Sequence, residues 1–154
     1  MPIVDRFRRP AQHEDLLDDL TGKGGPFRSL VEALMFAAAL GQQKSRRENF
    51  DKTGEPIRLA LMEGRLYGDV LIDMLAAVDM QNDPKILSDD RLDERVRIFE
   101  EYANGGLNYI RGELNTAATC DLDVLIENLV MGALTVPEED DEIGAILSSA
   151  DIAW

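Results

Sequence analysis

The sequence predicts an all-α fold: a compact single-domain array of six or seven helices with a short acidic helical appendage at the C-terminal end. Three observations lead there. Apolar residues recur at three- and four-residue spacing in nearly every segment long enough to show a period. The breaks between those segments are short and rich in Gly, Pro, Asn and Ser. Finally, 45% of the 154 residues are hydrophobic, and a chain of this size buries roughly 70% of the surface it exposes when unfolded.

The first helix is expected over residues 11–20, with Leu16, Leu17 and Leu20 on one side and Glu14, Asp15, Asp18 and Asp19 on the other. Thr21-Gly22-Lys23-Gly24-Gly25-Pro26 stops it, because such a cluster of turn residues does not continue a helix. The second helix, 27–40, places Phe27, Leu30, Val31, Leu34, Met35 and Ala38 at i, i+3, i+4 spacing, and Phe36, Ala37, Ala39 and Leu40 fill its other side. A helix apolar nearly all round belongs at the centre of a fold; Gly41 is read as its end.

Residues 42–58 read as a polar loop anchored by Phe50, Pro56 and Ile57. The stretch 57–62 has extended character, but a lone strand has no partner, so it is assigned to coil. The third helix is expected over 65–80, with Tyr67, Val70, Leu71, Met74, Leu75 and Val78 as its apolar face, broken by Gln81-Asn82-Asp83-Pro84. Ser88 offers an N-cap to a fourth helix, 89–103, that buries Leu92, Val96, Phe99 and Ala103. Asn104-Gly105 reads as a left-handed C-cap, after which Leu107, Ile110 and Leu114 start or resume a helix. A further helix is expected over 122–134. Residues 116–121 are the one candidate boundary, dividing a helical core domain, 1–121, from a C-terminal helical extension, 122–154, that carries the acidic segment.

Charge is unevenly placed. The chain holds 16 Lys/Arg and 30 Asp/Glu, a formal net charge of −14 at pH 7. Residues 1–58 contain ten basic and nine acidic side chains, whereas residues 59–154 contain six and 21. Net acidity disfavours general affinity for nucleic acid, although screening over ~8–10 Å leaves room for a local basic patch. A single cysteine, Cys120, excludes an internal disulfide and a Cys-rich zinc site. The first residues hold no signal-peptide run, and the longest nearly apolar stretch, 30–40, falls well short of the ~20 residues of a membrane span. A cytoplasmic location is expected.

Residues for catalysis are sparse. His13 is the single histidine and, beside Glu14 in an exposed-looking helix, reads as a surface residue. Cys120 lacks an evident base and reads as a structural thiol. Gly22-Lys23-Gly24-Gly25 has neither P-loop nor Gly-x-Gly-x-x-Gly spacing, which leaves an interhelical turn. Asp69 and Asp73 share a helix face but lack the convergence from several elements that Mg²⁺ chemistry needs. The expectation is no enzyme, no metal and no cofactor. The best electrostatic candidate is the loop 42–58: Lys44, Arg46, Arg47, Lys52 and Arg58 form its possible nucleic-acid contact.

Two segments carry a resemblance. One is Phe36-Ala37-Ala38-Ala39-Leu40-Gly41 followed by Lys44, Arg46-Arg47, Phe50 and Gly54-Glu55-Pro56-Ile57; the other is Glu101-Tyr102-Ala103-Asn104-Gly105-Gly106-Leu107. Together they resemble the DNA phosphorothioation (Dnd) system-associated protein 4 family over roughly residues 10–115. That resemblance implies an accessory role beside DNA sulfur-modification and restriction or phage-defence genes, with no catalytic residues to carry over and no coverage of 116–154. Physically, both segments offer close packing through small residues.

Three functions stay open. The first is a non-enzymatic accessory protein that binds other proteins of a defence system. The second is a DNA-binding or regulatory module using the 42–58 loop and Arg6, Arg8 and Arg9. The third is an acidic DNA mimic. At the C-terminal end, Pro137 and the acids 138–142 can open a helix, and Ile143, Ile146, Leu147 and Trp154 then recur on one apolar stripe. So short a helix is marginal alone, which makes the stripe a candidate contact with a partner or a second copy, with Trp154 as anchor. Deleting residues 137–154 is expected to leave cooperative melting intact while abolishing partner or self-association. Loss of the cooperative transition in the truncated chain would place the segment in the core instead.

Overall fold

Residues 4–116 and 121–134 are described in the computed structural model, and the chain divides into two units at Leu122/Asp123. In the first, strand β1 (Arg6–Phe7) leads through a 3₁₀ turn (Ala11–His13) into helix α1 (Glu14–Thr21). Helix α2 (Leu30–Gln43), strand β2 (Ile57–Arg58), helix α3 (Leu59–Glu63) and helix α4 (Gly68–Asp79) follow. Two further 3₁₀ turns, Pro84–Leu87 and Asp89–Arg91, precede the long helix α5 (Leu92–Thr116). Helix α6 (Leu122–Leu134) belongs to the second unit and buries Leu125 and Ile126, the centre of the apolar set expected there. Among the described residues the fold is all-α apart from the two-stranded ribbon.

Helix α2 starts three residues later than its apolar period indicates, because Ser29 caps it. The Ser29 hydroxyl accepts the Glu32 N–H at 3.2 Å, and the Glu32 carboxylate accepts the Arg28 N–H at 3.4 Å. Ser-x-x-Glu is thus used as a variant of the capping box. The turn before it is closed by Gly22 N–H to Asp18 O, Gly25 N–H to Gly22 O and Phe27 N–H to Leu20 O. Gly24 holds a left-handed φ of 84° there.

The main contact of the fold is α2 on α5, and it overturns two expected helix ends. Gly41 lies inside α2, and Asn104-Gly105 lies inside α5, which runs unbroken for 25 residues. The glycines are there for proximity. A Cβ on Gly41 would meet the Tyr102 carbonyl oxygen, one on Gly105 the Arg46 carbonyl oxygen, and one on Gly106 the Ala37 carbonyl oxygen. Backbone sits against backbone, so no side chain can rotate away. Ala37, Ala38, Ala103 and Leu107 close the crossing, each no more than 2% exposed.

The coil assignment for 57–62 is also corrected. Ile57–Arg58 finds an antiparallel partner in Arg6–Phe7, with Phe7 opposite Ile57 and Arg6 opposite Arg58. Phe7 and Ile57 are buried, and Phe7 meets Phe99 of α5 edge-on at 5.4 Å. Further along, Pro10 bridges Thr53, so the intervening segment of one strand is a residue longer than the other, as in a bulge. Of the expected loop anchors, Ile57 is buried and Phe50 half-buried, whereas Pro56 is exposed.

Helix α4 presents a different face from the one its spacing indicates. Gly68, Ile72, Leu75 and Ala76 are buried, while Tyr67, Val70, Met74 and Val78 are exposed. Two apolar faces compete on this helix, and the one with small residues fits against α5. The Ser88 hydroxyl, expected to cap, instead donates to the Lys85 carbonyl and contacts Asp90 Oδ1.

Replacing Gly106 by Ala is expected to cost at least about 2 kcal/mol, overpacking outweighing the ~1 kcal/mol gain in helix propensity. Gly112 on the same helix faces open space, so Gly112→Ala should raise the melting temperature by about 2–4 °C. Thermal denaturation of the two variants checks the pair, and equal stabilisation by both would contradict the close crossing.

Candidate functional site

A polar seam runs along α5 through Asn104, Asn108 and Arg111, spaced to share one face. Asn104, 1% exposed, donates to the carbonyls of Glu48 and Asn49 and accepts from Gln12 at 3.1 Å. Asn108 donates to Glu48 Oε1 at 3.1 Å. His13, expected at the surface, is buried at the head of this seam at 1% exposure. It sits where the 3₁₀ turn enters α1, and the turn rotates it towards α5, away from the acidic side of the helix. Its Nε2 lies 2.7 Å from Asn108 Oδ1, and its Nδ1 receives Arg111 Nε at 3.2 Å. An acceptor on one nitrogen and a donor on the other define the neutral Nε2–H tautomer. Burial lowers the imidazole's pKa below its ordinary value of 6.5, and Arg111 adds to the effect against the opposing Asn108 bond.

The cations of the 42–58 loop go to separate places. Arg47 bridges Asp79 at 2.5 Å and Glu101 at 2.6 Å. Burial works against its charge, but the Glu101 and Asp79 carboxylates outweigh burial and hold its pKa above the ordinary arginine value. Asp79 also accepts the Tyr102 hydroxyl at 2.5 Å, and burial together with that carboxylate pushes the phenol up to about 12. Arg46 pairs with Glu48 at 2.9 Å, and it and Lys44 lie over the Tyr109 ring. Lys52 lines a separate cleft with Gln12 and Phe50.

Arg58 joins cations from outside the loop. Together with Arg6, Arg9 and Arg65 it walls an open cleft of about 450 Å³ beside the start of α2. Arg9 pairs with Glu14 at 3.0 Å and Arg65 with Glu32 at 3.4 Å. Arg6 and Arg58 make no ion pair with any described residue, and Glu55 is the acid on the cleft wall. The sequence groups Arg6 with this loop, together with Arg8 and Arg9, but Arg65 and the direct opposition of Arg6 to Arg58 do not stand out there. The signal lies in the strand pairing, which a two-residue strand hides.

Asp73 binds Arg95 at 2.8 Å. Arg95 is itself buried and donates to the Ile86 and Ser88 carbonyls, so this carboxylate ties α4 to α5. Asp69 is exposed. Among the described residues no three His, Cys, Asp or Glu side chains gather as a metal site, and no helix is long and apolar enough to cross a membrane. Cys120 and the candidate contact residues Ile143, Ile146, Leu147 and Trp154 lie outside the described residues.

The sequence model of the family described as DNA sulphur modification system-associated protein 4 matches residues 6–146. That range extends past the 10–115 region of the resemblance, so α6 and the acidic segment fall within the family's span. No match was found among curated proteins or among solved structures.

Because the folded chain holds His13 neutral and the unfolded chain protonates it near pH 6.5, this residue's contribution is full above pH 6.5 and is lost as pH falls below it. A proton on Nδ1 would also face the Arg111 donor. The melting temperature should therefore fall more steeply from pH 7.5 to 5.5 in the wild type than in His13→Gln, and parallel slopes in thermal melts would contradict this.

Proposed function

The chain belongs to the DNA sulphur modification system-associated protein 4 family, and from that premise we propose that it is a non-enzymatic accessory protein of a DNA phosphorothioation-linked modification and restriction system that acts by binding another protein of that system. The observation that carries this reading is the outer face of α4 and the turn before it. Leu66, Tyr67 and Met74 are 79%, 70% and 60% exposed, with Val70 and Val78 alongside. An exposed apolar stripe of this kind is a usual mark of a protein contact.

Tyr67 adds a second reason. It holds a left-handed φ of 64°, a conformation that costs a bulky residue roughly 1–2 kcal/mol. The tight turn between α3 and α4 imposes it, and the ring, mostly in solvent, gains little from the fold itself, whereas an aromatic anchor in an interface is buried. Glu63 and Asp69 flank the stripe in exposed positions. The surface therefore fits a partner with an apolar centre and a basic rim. Ile143, Ile146, Leu147 and Trp154 remain in this reading as a second contact element, on the strength of their sequence stripe.

The experiment is co-purification of the tagged chain with co-expressed proteins of the modification system. Tyr67→Gly removes the ring and relieves the strained backbone. It should leave the melting temperature unchanged or raised and reduce partner recovery at least about tenfold, and Met74→Glu should reduce it similarly. Full recovery with both variants, each folded, would rule out this face.

A further inference from the structure

We propose that the arginine-walled cleft beside the start of α2 is a binding site for a phosphate ester. It uses different residues from the apolar face of α4, so either can fail without the other.

The first ground is the strand pairing. Arg6 and Arg58 are directly opposed across the ribbon. The Leu59 N–H donates to the Asp5 carbonyl at 2.8 Å, one position further along, which makes Arg6/Arg58 a non-hydrogen-bonded pair. Side chains at such a pair lie closest together. Like charges set opposite each other destabilise a ribbon, and no described acid is paired with either one to offset this. An oxyanion between the two guanidinium groups removes the repulsion, and each planar fork can bind it through two N–H groups.

The second ground is the shape and chemistry of the walls. Arg9 and Arg65 bring the cations on the wall to four, and their acidic partners Glu14 and Glu32 leave Arg6 and Arg58 as the uncompensated pair. The cleft volume of about 450 Å³ lies within the range of small-ligand pockets, ~300–1,000 Å³. Leu30 and Val31, the first two residues of α2, also line it. Their backbone N–H groups precede the helical ladder and have no acceptor within it. With Leu61 they provide an apolar surface beside the cations, suited to the sugar or base attached to the phosphate. Glu55 also lines the cleft.

A phosphate ester reaches such a site either as a nucleic-acid backbone or as a free small molecule, and two probes separate them. The full chain and Arg6→Gln/Arg58→Gln are melted in sodium phosphate and in sodium chloride of equal ionic strength. Phosphate at ten times its dissociation constant should raise the wild-type melting temperature by about 3–5 °C and leave the double variant unmoved. In chloride the double variant should melt no lower than wild type, because the opposed charges are gone; Arg58→Gln alone serves if it does not fold. The second probe is a fluorescent 20-mer, single-stranded and duplex, titrated at several salt concentrations. A salt slope reduced by about two in the double variant assigns the site to a nucleic-acid backbone. Phosphate stabilisation without oligonucleotide binding assigns it to a free phosphate ester. Absence of both responses, or a phosphate response that persists in both variants, overturns the proposal.

Discussion

The backbone-to-backbone crossing of α2 and α5 is the constraint on which the rest of the first unit depends. With carbonyls of Ala37 and Tyr102 sitting where a Cβ of Gly106 or Gly41 would be, the two helices come closer than branched side chains permit. The gain is dispersion contact between dense, small-residue surfaces. The cost is that the polar backbone following α2 is pressed against α5 and must be satisfied there. Ser45 takes a left-handed φ of 55° to turn the chain, Arg46 N–H returns to the Gly41 carbonyl, and Glu48 N–H bonds the Glu101 carbonyl. Gly105 leaves room for the Arg46 carbonyl, and Asn104, one residue before it, satisfies two more carbonyls of the same loop.

That pinning explains how the charges are used. Once residues 45–49 lie on α5, Arg47 falls between Asp79 of α4 and Glu101 of α5, and its two ion pairs tie three segments together. Glu100 turns to the other side and, nearly fully buried, holds the Arg8 backbone N–H and guanidinium. Arg95 does the same for the turn at 86–88 and for Asp73. Each pair sets a largely buried side chain against a partner that is about a third to a half exposed, so solvent screens the attraction, and its main effect is to keep the inner charge from being stranded. Arginine is thus the connector of this fold; of the arginines without an ion pair among the described residues, Arg6 and Arg58 are the two set directly opposite each other.

Helical period carried most of the architecture. The burial of Leu16, Leu17 and Leu20 and the extent of α6 follow from apolar spacing alone, and the central place of α2 follows from its being apolar nearly all round. The failures share a cause. Gly41 and Asn104-Gly105 look like helix ends by local preference, yet tertiary contact overrides a propensity term of ~1 kcal/mol. A two-residue strand carries no period, so the β1–β2 pairing and the opposition of Arg6 to Arg58 were invisible until the chain folded. His13 was misplaced because its acidic neighbours describe α1, whereas its own orientation is set by the 3₁₀ turn before it. The Ser29-x-x-Glu32 cap, by contrast, was legible and was masked only by the apolar Phe27 upstream of it.

The two surfaces left over by this economy differ in chemistry because they arise differently. On α4 the close approach of Gly68 to the Met62 carbonyl fixes a tight turn out of α3. That turn forces Tyr67 into a left-handed backbone and carries Leu66 outward with it. The buried face of α4 is then spent on α5, and the helix's second apolar face has no element of the first unit to cover it. At the ribbon the alternation of a strand does the sorting: Phe7 and Ile57 point inward to Phe99, so Arg6 and Arg58 must point out on the same side. An apolar stripe and a cationic cleft therefore both follow from the core's geometry, the first by exclusion from a packed interface and the second by strand register. A protein that joins a modification system needs a surface for a partner. The proposed phosphate site would in turn use the opposed guanidinium groups of Arg6 and Arg58, and the packing of the core places both surfaces without a moving part.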